Sequence, residues 1–147
     1  MKRWTKVFAL TLTLAALLLA LTGCGEKKNT LGGTYVPGTV IAGDGSEQSY
    51  DDYIKEGLER TGLLEGSEEY ESLKSLTNIT YTFEGDGKMT AAMMGMTVEG
   101  TYTLEGEQLT MTVNGQDTVG TYDPEKNTIT YQNATTDDQL VLVHQEG

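Results

Sequence analysis

Apolar and polar residues alternate one by one along much of the chain after Asn78, and this period of two constrains the fold more than any other feature. In residues 79–83 an isoleucine, a tyrosine and a phenylalanine occupy every second position, with threonines between them. The same alternation recurs in residues 101–105, 109–113 and 128–131. Successive side chains of a β-strand point to opposite faces, so the pattern predicts strands that bury one face. Threonine suits the exposed face because it is both β-branched and polar.

Short turn sequences separate these predicted strands. Asp86-Gly87 and Asn114-Gly115 are dipeptides that accept positive φ angles, and we expect both to form type I′ hairpin turns. Residues 105–107 and 123–127 are predicted to form two further hairpin connections. Strands joined by such short links are antiparallel neighbours, so the sequence predicts an up-and-down meander.

The last predicted strand, residues 139–145, carries two leucines on one face and two valines on the other. A strand that is apolar on both faces is either covered on both or closes a sheet. Its natural partner is the isolated early strand at residues 33–36, just before Pro37. Pairing of the first and last strands would remove the exposed edges of the sheet. The predicted fold class is therefore mainly β, with an antiparallel meander that closes into a barrel of about eight strands.

The triplet Gly-Thr-Tyr occurs three times, at residues 33–35, 100–102 and 120–122. We expect each triplet to start a strand at the same end of the barrel. Glycine at such a position allows a bend or a close backbone approach, and tyrosine supplies a large inward ring.

A helical pattern separates the first strand from the meander. Apolar residues at helical spacing begin at Tyr50, with Ser49 as N-cap, and Gly62 can end this helix. Ser67 is predicted to cap a second short helix. The residues that this second helix is expected to turn inward are Tyr70, Leu73 and Leu76. We expect this helical insertion, about residues 49–76, to cover one mouth of the barrel.

The N-terminus has the three parts that export requires. Three basic residues come first, an uncharged stretch covers residues 7–21, and small residues precede Cys24. The alternative is a transmembrane anchor, but 15 residues at about 1.5 Å of rise span roughly 22 Å, less than the roughly 30 Å hydrocarbon core. The sequence therefore predicts a signal peptide over residues 1–23.

Residues 21–24, Leu-Thr-Gly-Cys, resemble the lipobox of bacterial lipoproteins, in which the cysteine is acylated before cleavage. The resemblance implies a lipoprotein cut in front of Cys24 and held by acyl chains such as palmitate on that residue. Each buried methylene contributes about 0.8 kcal/mol, so two or three chains would anchor the protein stably on the extracytoplasmic face of the cell membrane. An ordinary signal peptide with a chance cysteine is the alternative. Residues 24–33 then form the lipidated cysteine and a flexible tether, and residues 34–147 form the barrel domain.

The exported part of the chain is strongly acidic. Removing residues 1–23 takes three of the ten basic residues and none of the 22 acidic ones, which leaves a net charge of −15. Residues 44–71 contain ten of the acidic side chains but only two basic ones. Such a surface repels nucleic acid and anionic lipid head groups, so we expect no nucleic-acid partner and attribute membrane affinity to lipid alone.

Few residues offer catalytic or metal chemistry. The chain has one histidine, His144, and one cysteine, Cys24, so a serine or cysteine triad has little support. Most carboxylates lie in the acidic segment, where a solvated helix face accounts for them. Four methionines in residues 89–96 can offer thioethers to Cu(I), but methionine is also a common core filler. We expect a non-enzymatic protein without catalytic residues, cofactor or metal site.

The arrangement of motifs resembles the lipocalin-like domains of small lipoproteins and secreted proteins of Gram-positive bacteria. The resemblance covers about residues 31–145. It implies a lipocalin-like barrel and an extracytoplasmic location, but no catalytic residue and no particular ligand. The motifs that carry it are Leu-Gly-Gly-Thr-Tyr at 31–35, the helix at 50–55, the hairpin at 81–89, and the segments 98–104 and 120–123.

The barrel interior is the predicted site, because an eight-stranded barrel has room for packed side chains or one small ligand. The candidate ligand-binding residues are Tyr35, Tyr81, Phe83, Tyr102, Met111 and Tyr131. Five further residues are predicted to face inward: Leu104, Leu109, Ile129, Leu140 and Leu142. The first hypothesis is a binding module for a small or partly apolar ligand. The alternative is a structural or interaction lipoprotein with a filled barrel, whose acidic helical face meets an envelope partner.

Overall fold

The computed structural model describes residues 31–147. The predicted signal peptide, Cys24 and most of the predicted tether lie outside the described residues. The elements in chain order are β1 (Gly33–Ile41), β2 (Glu47–Ser49), α1 (Tyr50–Arg60), α2 (Glu68–Leu76), β3 (Thr80–Phe83), β4 (Lys88–Met93), β5 (Met96–Glu105), β6 (Gln108–Val113), β7 (Gln116–Asp123), β8 (Thr128–Gln132) and β9 (Gln139–Gln145).

Eight antiparallel strands form a closed barrel. The order of neighbours is β1, β3, β4, β5, β6, β7, β8 and β9, and β9 pairs back with β1. The short strand β2 pairs with residues 39–41 of β1, whereas β3 pairs with residues 33–35. The alternating pattern, the turns and the doubly apolar last strand thus predicted the fold class correctly.

The first strand is longer than its sequence predicts. It continues past Pro37 to Ile41, and its register against β9 shifts between Pro37 and Thr39. A proline has no N–H to give to the sheet, and a bulge of this kind accommodates it. Gly38 sits in the bulge, where a Cβ atom would lie 2.8 Å from a methyl group of Val143. The bulge therefore lets β1 close the barrel along its whole length.

The hairpin turns agree with the prediction at one of two dipeptides. Asn114 and Gly115 have φ angles of 52° and 75°, as a type I′ turn requires. At the other dipeptide only Gly87 has a positive φ, 86°, and its N–H donates to the carbonyl oxygen of Glu84 at 3.2 Å. The prediction of a type I′ turn there was wrong, because Gly85 lengthens the loop to three residues that end in a left-handed glycine.

One further two-residue turn has no obvious signal in the sequence. Met94 and Gly95, with φ angles of 52° and 73°, connect β4 to β5. Methionine seldom adopts a left-handed backbone, so the sequence did not mark this turn.

The three Gly-Thr-Tyr tyrosines lie at one end of the barrel, which we call the closed end. The hydroxyl groups of Tyr35 and Tyr122 both donate to Oδ1 of Asn127, at 2.5 and 3.1 Å. The hydroxyl of Tyr102 lies 2.6 Å from the carbonyl oxygens of Leu31 and Glu84. These bonds, together with the side chain of Leu31, close this end of the barrel.

Only the first of the three triplets starts a strand, so that part of the prediction was wrong. Gly100 and Gly120 lie in the middle of β5 and β7. A Cβ on Gly100 would lie 2.5 Å from the carbonyl oxygen of Thr112, and one on Gly120 would lie 2.8 Å from that of Thr130. Both glycines therefore allow a close approach of neighbouring strands.

The two helices begin where their serines predict. Ser49 Oγ accepts the N–H of Asp52 at 3.1 Å, and Ser67 Oγ accepts the N–H of Tyr70 at 3.2 Å. On α2 only Tyr70 is buried. The expectation that two leucines of α2 face inward was wrong, because α2 packs chiefly against α1. The exposed fractions are 42% for Leu73 and 43% for Leu76.

Tyr70 offers a test of the packing between the helices. The residue is 1% exposed, and its hydroxyl has no hydrogen-bond partner among the described residues. An unpaired buried hydroxyl costs about 1–3 kcal/mol, so we expect Tyr70→Phe to leave the free energy of unfolding unchanged or raise it by up to about 1 kcal/mol. Urea unfolding followed by circular dichroism measures this.

Tyr102→Phe is the matched control for that variant, because it removes a hydroxyl that two carbonyl oxygens share at the closed end. We expect it to lower the free energy of unfolding by about 1–3 kcal/mol. A larger loss for Tyr70→Phe than for Tyr102→Phe would show that the hydroxyl of Tyr70 is hydrogen-bonded in the protein.

Candidate ligand-binding site at the barrel mouth

Packed side chains fill the barrel from the closed end to about its middle. Phe83 contacts Tyr35 and Tyr102 edge to face, with ring centroids 5.6 and 5.1 Å apart. Leu109, Ile129 and other aliphatic residues of the same cluster are 0% exposed. The eleven strand residues predicted to face into the barrel all belong to this core or pack against it. Leu31, Met89 and Ala91 also belong to the core and were not predicted from the sequence.

Two tyrosines form the upper surface of this core. The hydroxyl groups of Tyr81 and Tyr131 lie 2.9 Å apart, and their rings meet edge to face with centroids 6.3 Å apart. Burial raises the pKa of both phenols above the usual value. Both side chains therefore stay protonated and neutral at physiological pH.

A pocket of about 290 Å³ lies above Tyr131, at the mouth opposite the closed end. We call it the mouth pocket. Its lower wall consists of inward-facing barrel residues and its upper wall of α1. The barrel contributes Val40, Ile79, Thr118, Tyr131 and Leu140, the helix contributes Tyr50, Tyr53 and Ile54, and the β8–β9 loop and its flanks contribute Gln132, Asn133, Ala134, Asp138 and Gln139. The volume is near the lower limit of ordinary ligand pockets.

The position of α1 over the mouth follows from local contacts. Ser49 caps the helix directly after β2, which is held on the edge of β1. The hydroxyl of Tyr50 donates to the carbonyl oxygen of Thr77 at 2.9 Å, which ties the start of α1 to the end of α2. Burial raises the pKa of the Tyr50 phenol, so this hydroxyl stays protonated at physiological pH. The position of α1 over the mouth agrees with the sequence prediction, whereas α2 packs against α1 and does not line the pocket.

The structure separates the six candidate ligand-binding residues into two groups. Tyr131 lines the mouth pocket. The other five lie in the packed core: Tyr35, Tyr81, Phe83, Tyr102 and Met111. Whether any of the six contacts a ligand stays a prediction, and the predicted lipid attachment at Cys24 lies outside the described residues.

The upper wall of the mouth pocket was not predicted from the sequence. The helical spacing of Tyr50, Tyr53 and Ile54 predicts only that they share the apolar face of a helix. That face, combined with the predicted placement over one mouth, was the signal that could have identified them. Asn133 and Asp138 belong to a loop without periodicity, and nothing in the sequence placed them near the mouth.

The residues considered for catalysis or metal binding occupy ordinary structural positions. The ring of His144 packs edge-on against Tyr35, with centroids 5.1 Å apart. Met89 is buried in the core, whereas Met94 and Met96 are exposed at the β4–β5 turn. Within residues 31–147, no three histidine, cysteine or acidic side chains are grouped as a metal site would require.

A second, shallower depression lies on the outer surface of the barrel. It measures about 900 Å³ and is lined mainly by outward-facing residues of β7, β8, β9 and β1, including Ile41, Val119 and Val141.

In the part of the chain that the structure describes, neither helix is long and apolar enough to cross a bilayer.

Comparison with known proteins supports the fold. A crystal structure of a DUF4847 family protein from Bacteroides vulgatus ATCC 8482 matches with a TM-score of 0.51 and 12% sequence identity. The match covers 82% of this chain and 98% of that one. At this identity the likeness shows a shared barrel fold alone. No family model and no curated protein matches the sequence.

Proposed function

We propose that this protein is an exported lipoprotein, anchored through Cys24, whose barrel binds a small and partly apolar ligand in the mouth pocket. The observation that carries the binding proposal is the mouth pocket itself, with rings and aliphatic groups around about 290 Å³ and amide and carboxyl groups at its rim. Ligand sites commonly combine an apolar lining with a few polar groups in this way. The proposed role is binding without catalysis.

The proposed anchor rests on the sequence of residues 1–24. A lipidated cysteine and a tether up to residue 33 would hold the barrel close to the outer side of the cell membrane. Ligand in the extracytoplasmic space would then reach the mouth pocket without crossing the membrane.

Two observations favour the alternative, a structural or interaction protein. The lower part of the barrel is filled, and the mouth pocket is partly open instead of fully enclosed. Two ion pairs neutralise only part of the acidic charge of the helical segment. They join Lys55 to Glu65 at 2.7 Å and Arg60 to Glu56 at 3.2 Å. The remaining carboxylates would suit a basic envelope partner.

Native mass spectrometry of the protein isolated from its own host separates the two proposals. A small molecule that remains bound to the protein would support the binding module and would identify the class of ligand. An empty mass, together with no thermal shift across panels of lipids and small apolar compounds, would favour the interaction protein.

A substitution at Thr118 tests whether the mouth pocket is the binding site. Thr118 lines the pocket and is exposed, so a tryptophan there would fill the space without removing core contacts. We expect Thr118→Trp to abolish the bound mass, with a loss of affinity of about tenfold or more.

Val119→Trp is the matched control. Val119 is the next residue of β7, is 53% exposed, and points to the outer face because side chains alternate along a strand. This variant should retain the ligand. Equal loss in both variants would show that the tryptophan acts through the stability of β7, and retention in both would place the ligand elsewhere.

A further inference from the structure

The charge around the mouth pocket distinguishes between classes of apolar ligand. None of its lining residues is a lysine, an arginine or the histidine. The described chain carries 21 acidic residues and five basic ones. Four of the basic side chains already pair with carboxylates of their own surroundings: Lys55, Arg60, Lys88 and Lys126. The field at the mouth is therefore negative, which opposes entry of an anion.

Asp138 places a carboxylate at the rim of the mouth pocket. The residue is half-buried, and its backbone is held by two hydrogen bonds. Its carbonyl oxygen accepts the N–H of Asn133 at 2.9 Å, and its own N–H donates to Thr136 Oγ1 at 3.3 Å. Within the described residues, no hydrogen bond or ion pair joins its carboxylate to another group. A partly desolvated carboxylate without a partner favours a cation beside it.

Three tyrosine rings share this pocket. Tyr50 and Tyr53 come from α1, and Tyr131 forms the floor from β8. The faces of such rings carry negative charge and attract ammonium groups, and aromatic pockets with a nearby carboxylate bind quaternary ammonium ligands. Val40, Ile79 and Leu140 leave space beside the rings for an apolar group.

We infer that the mouth pocket selects a small organic cation, an amine or quaternary ammonium compound that carries an apolar group and is free in solution. The inference rests on the proposed function and specifies its ligand. A pocket of about 290 Å³ holds one such molecule and has no room for the paired acyl chains of a choline lipid. The ammonium group would lie between the tyrosine rings and Asp138, and the apolar group against the aliphatic wall.

Calorimetric titration with three probes of similar size tests this selectivity. The probes are benzyltrimethylammonium, benzyl alcohol and phenylacetate, added to the acylated protein purified in an uncharged detergent. We expect the cation to bind about tenfold more tightly than the alcohol, and the anion to show no measurable binding. Raising the salt concentration should weaken binding of the cation alone.

Two pairs of variants test the groups that carry the inference. Asp138→Asn should weaken the cation several-fold and leave the alcohol unchanged, whereas Asp137→Asn, next to it but outside the pocket lining, should change neither. Tyr53→Leu should weaken binding of the cation, whereas Tyr53→Phe, which keeps the ring, should retain it.

The possible failures are distinguishable. Equal binding of the cation and the alcohol, or tighter binding of phenylacetate, would overturn the selectivity for cations and leave the mouth pocket as a binding site. Absence of binding by all three probes, together with an empty mass of the protein from its host, would overturn both the selectivity and the binding module.

Discussion

Replacement of Cys24 by alanine is expected to abolish acyl labelling of the protein and to deplete it from the membrane fraction. The proposed acylation requires the cysteine sulfur, and the sequence has no second cysteine to take its place. Each methylene of an acyl chain contributes about 0.8 kcal/mol to membrane binding, so loss of two or three chains removes nearly all of the affinity. The strongly acidic domain would not compensate, because it is repelled by anionic head groups.

Metabolic labelling with an alkyne analogue of palmitate, followed by fractionation of the cells, measures this effect. Thr5→Ala, in the signal peptide but outside the lipobox, is the control and should keep both the label and the membrane fraction. Unchanged labelling and unchanged retention of Cys24→Ala would contradict acylation at this residue. The intact mass of the wild-type protein would then decide between an ordinary signal peptide and a retained anchor.

Truncation of Leu142 is expected to produce the largest loss of stability. Leu142 is 0% exposed and lies on β9, opposite Pro37 on one neighbouring strand and Ile129 on the other. Leu142→Ala would leave a cavity at the seam where the barrel closes. Such substitutions cost about 2–5 kcal/mol, a large share of the 5–15 kcal/mol by which a domain of this kind is stable.

Urea unfolding of both proteins, followed by circular dichroism, measures the loss. Val119→Ala is the control, because its side chain is 53% exposed on the outer face, and we expect a change below about 0.5 kcal/mol. A loss below about 1 kcal/mol for Leu142→Ala would show that the seam between β1 and β9 is loose or open in solution.

The agreement between sequence and structure is best where a single local rule decides the outcome. The period of two assigned the inward face correctly on β3, β5, β6 and β8, where it was read, since a shift by one residue would expose the whole apolar set. Ser49 and Ser67 marked both helix starts, because a hydroxyl before a helix satisfies free N–H groups. Asn114-Gly115 identified a type I′ turn, because both residues tolerate the positive φ angles that this turn requires.

The disagreements occur where contacts between distant segments override local rules. The first strand was expected over residues 33–36, but pairing with β9 continues through a bulge after Pro37 and carries β1 on to Ile41. Leu73 and Leu76 were expected to be buried, but α2 packs against α1 and leaves both leucines exposed. Met94 occupies a left-handed position because the register of β4 and β5 requires a two-residue turn.

The candidate site shows the same division. The sequence identified the inward residues, but it did not distinguish those that fill the core from those that border a space. Tyr81 and Tyr131 both follow the alternating pattern of inward residues, but only Tyr131 lines the mouth pocket. Asp138 reaches that pocket through a loop whose course depends on contacts that no local pattern encodes.

The sequence by itself determined an antiparallel meander of about eight strands and the closure between the first and last of them, because burial of one face leaves few other arrangements. It also supports the prediction of an exported, lipidated N-terminus. The tertiary structure decided which part of the barrel is filled and where a pocket remains. The volume left between elements depends on how side chains from distant segments pack together. Periodicity along one segment contains no information about the spacing between that segment and its neighbours.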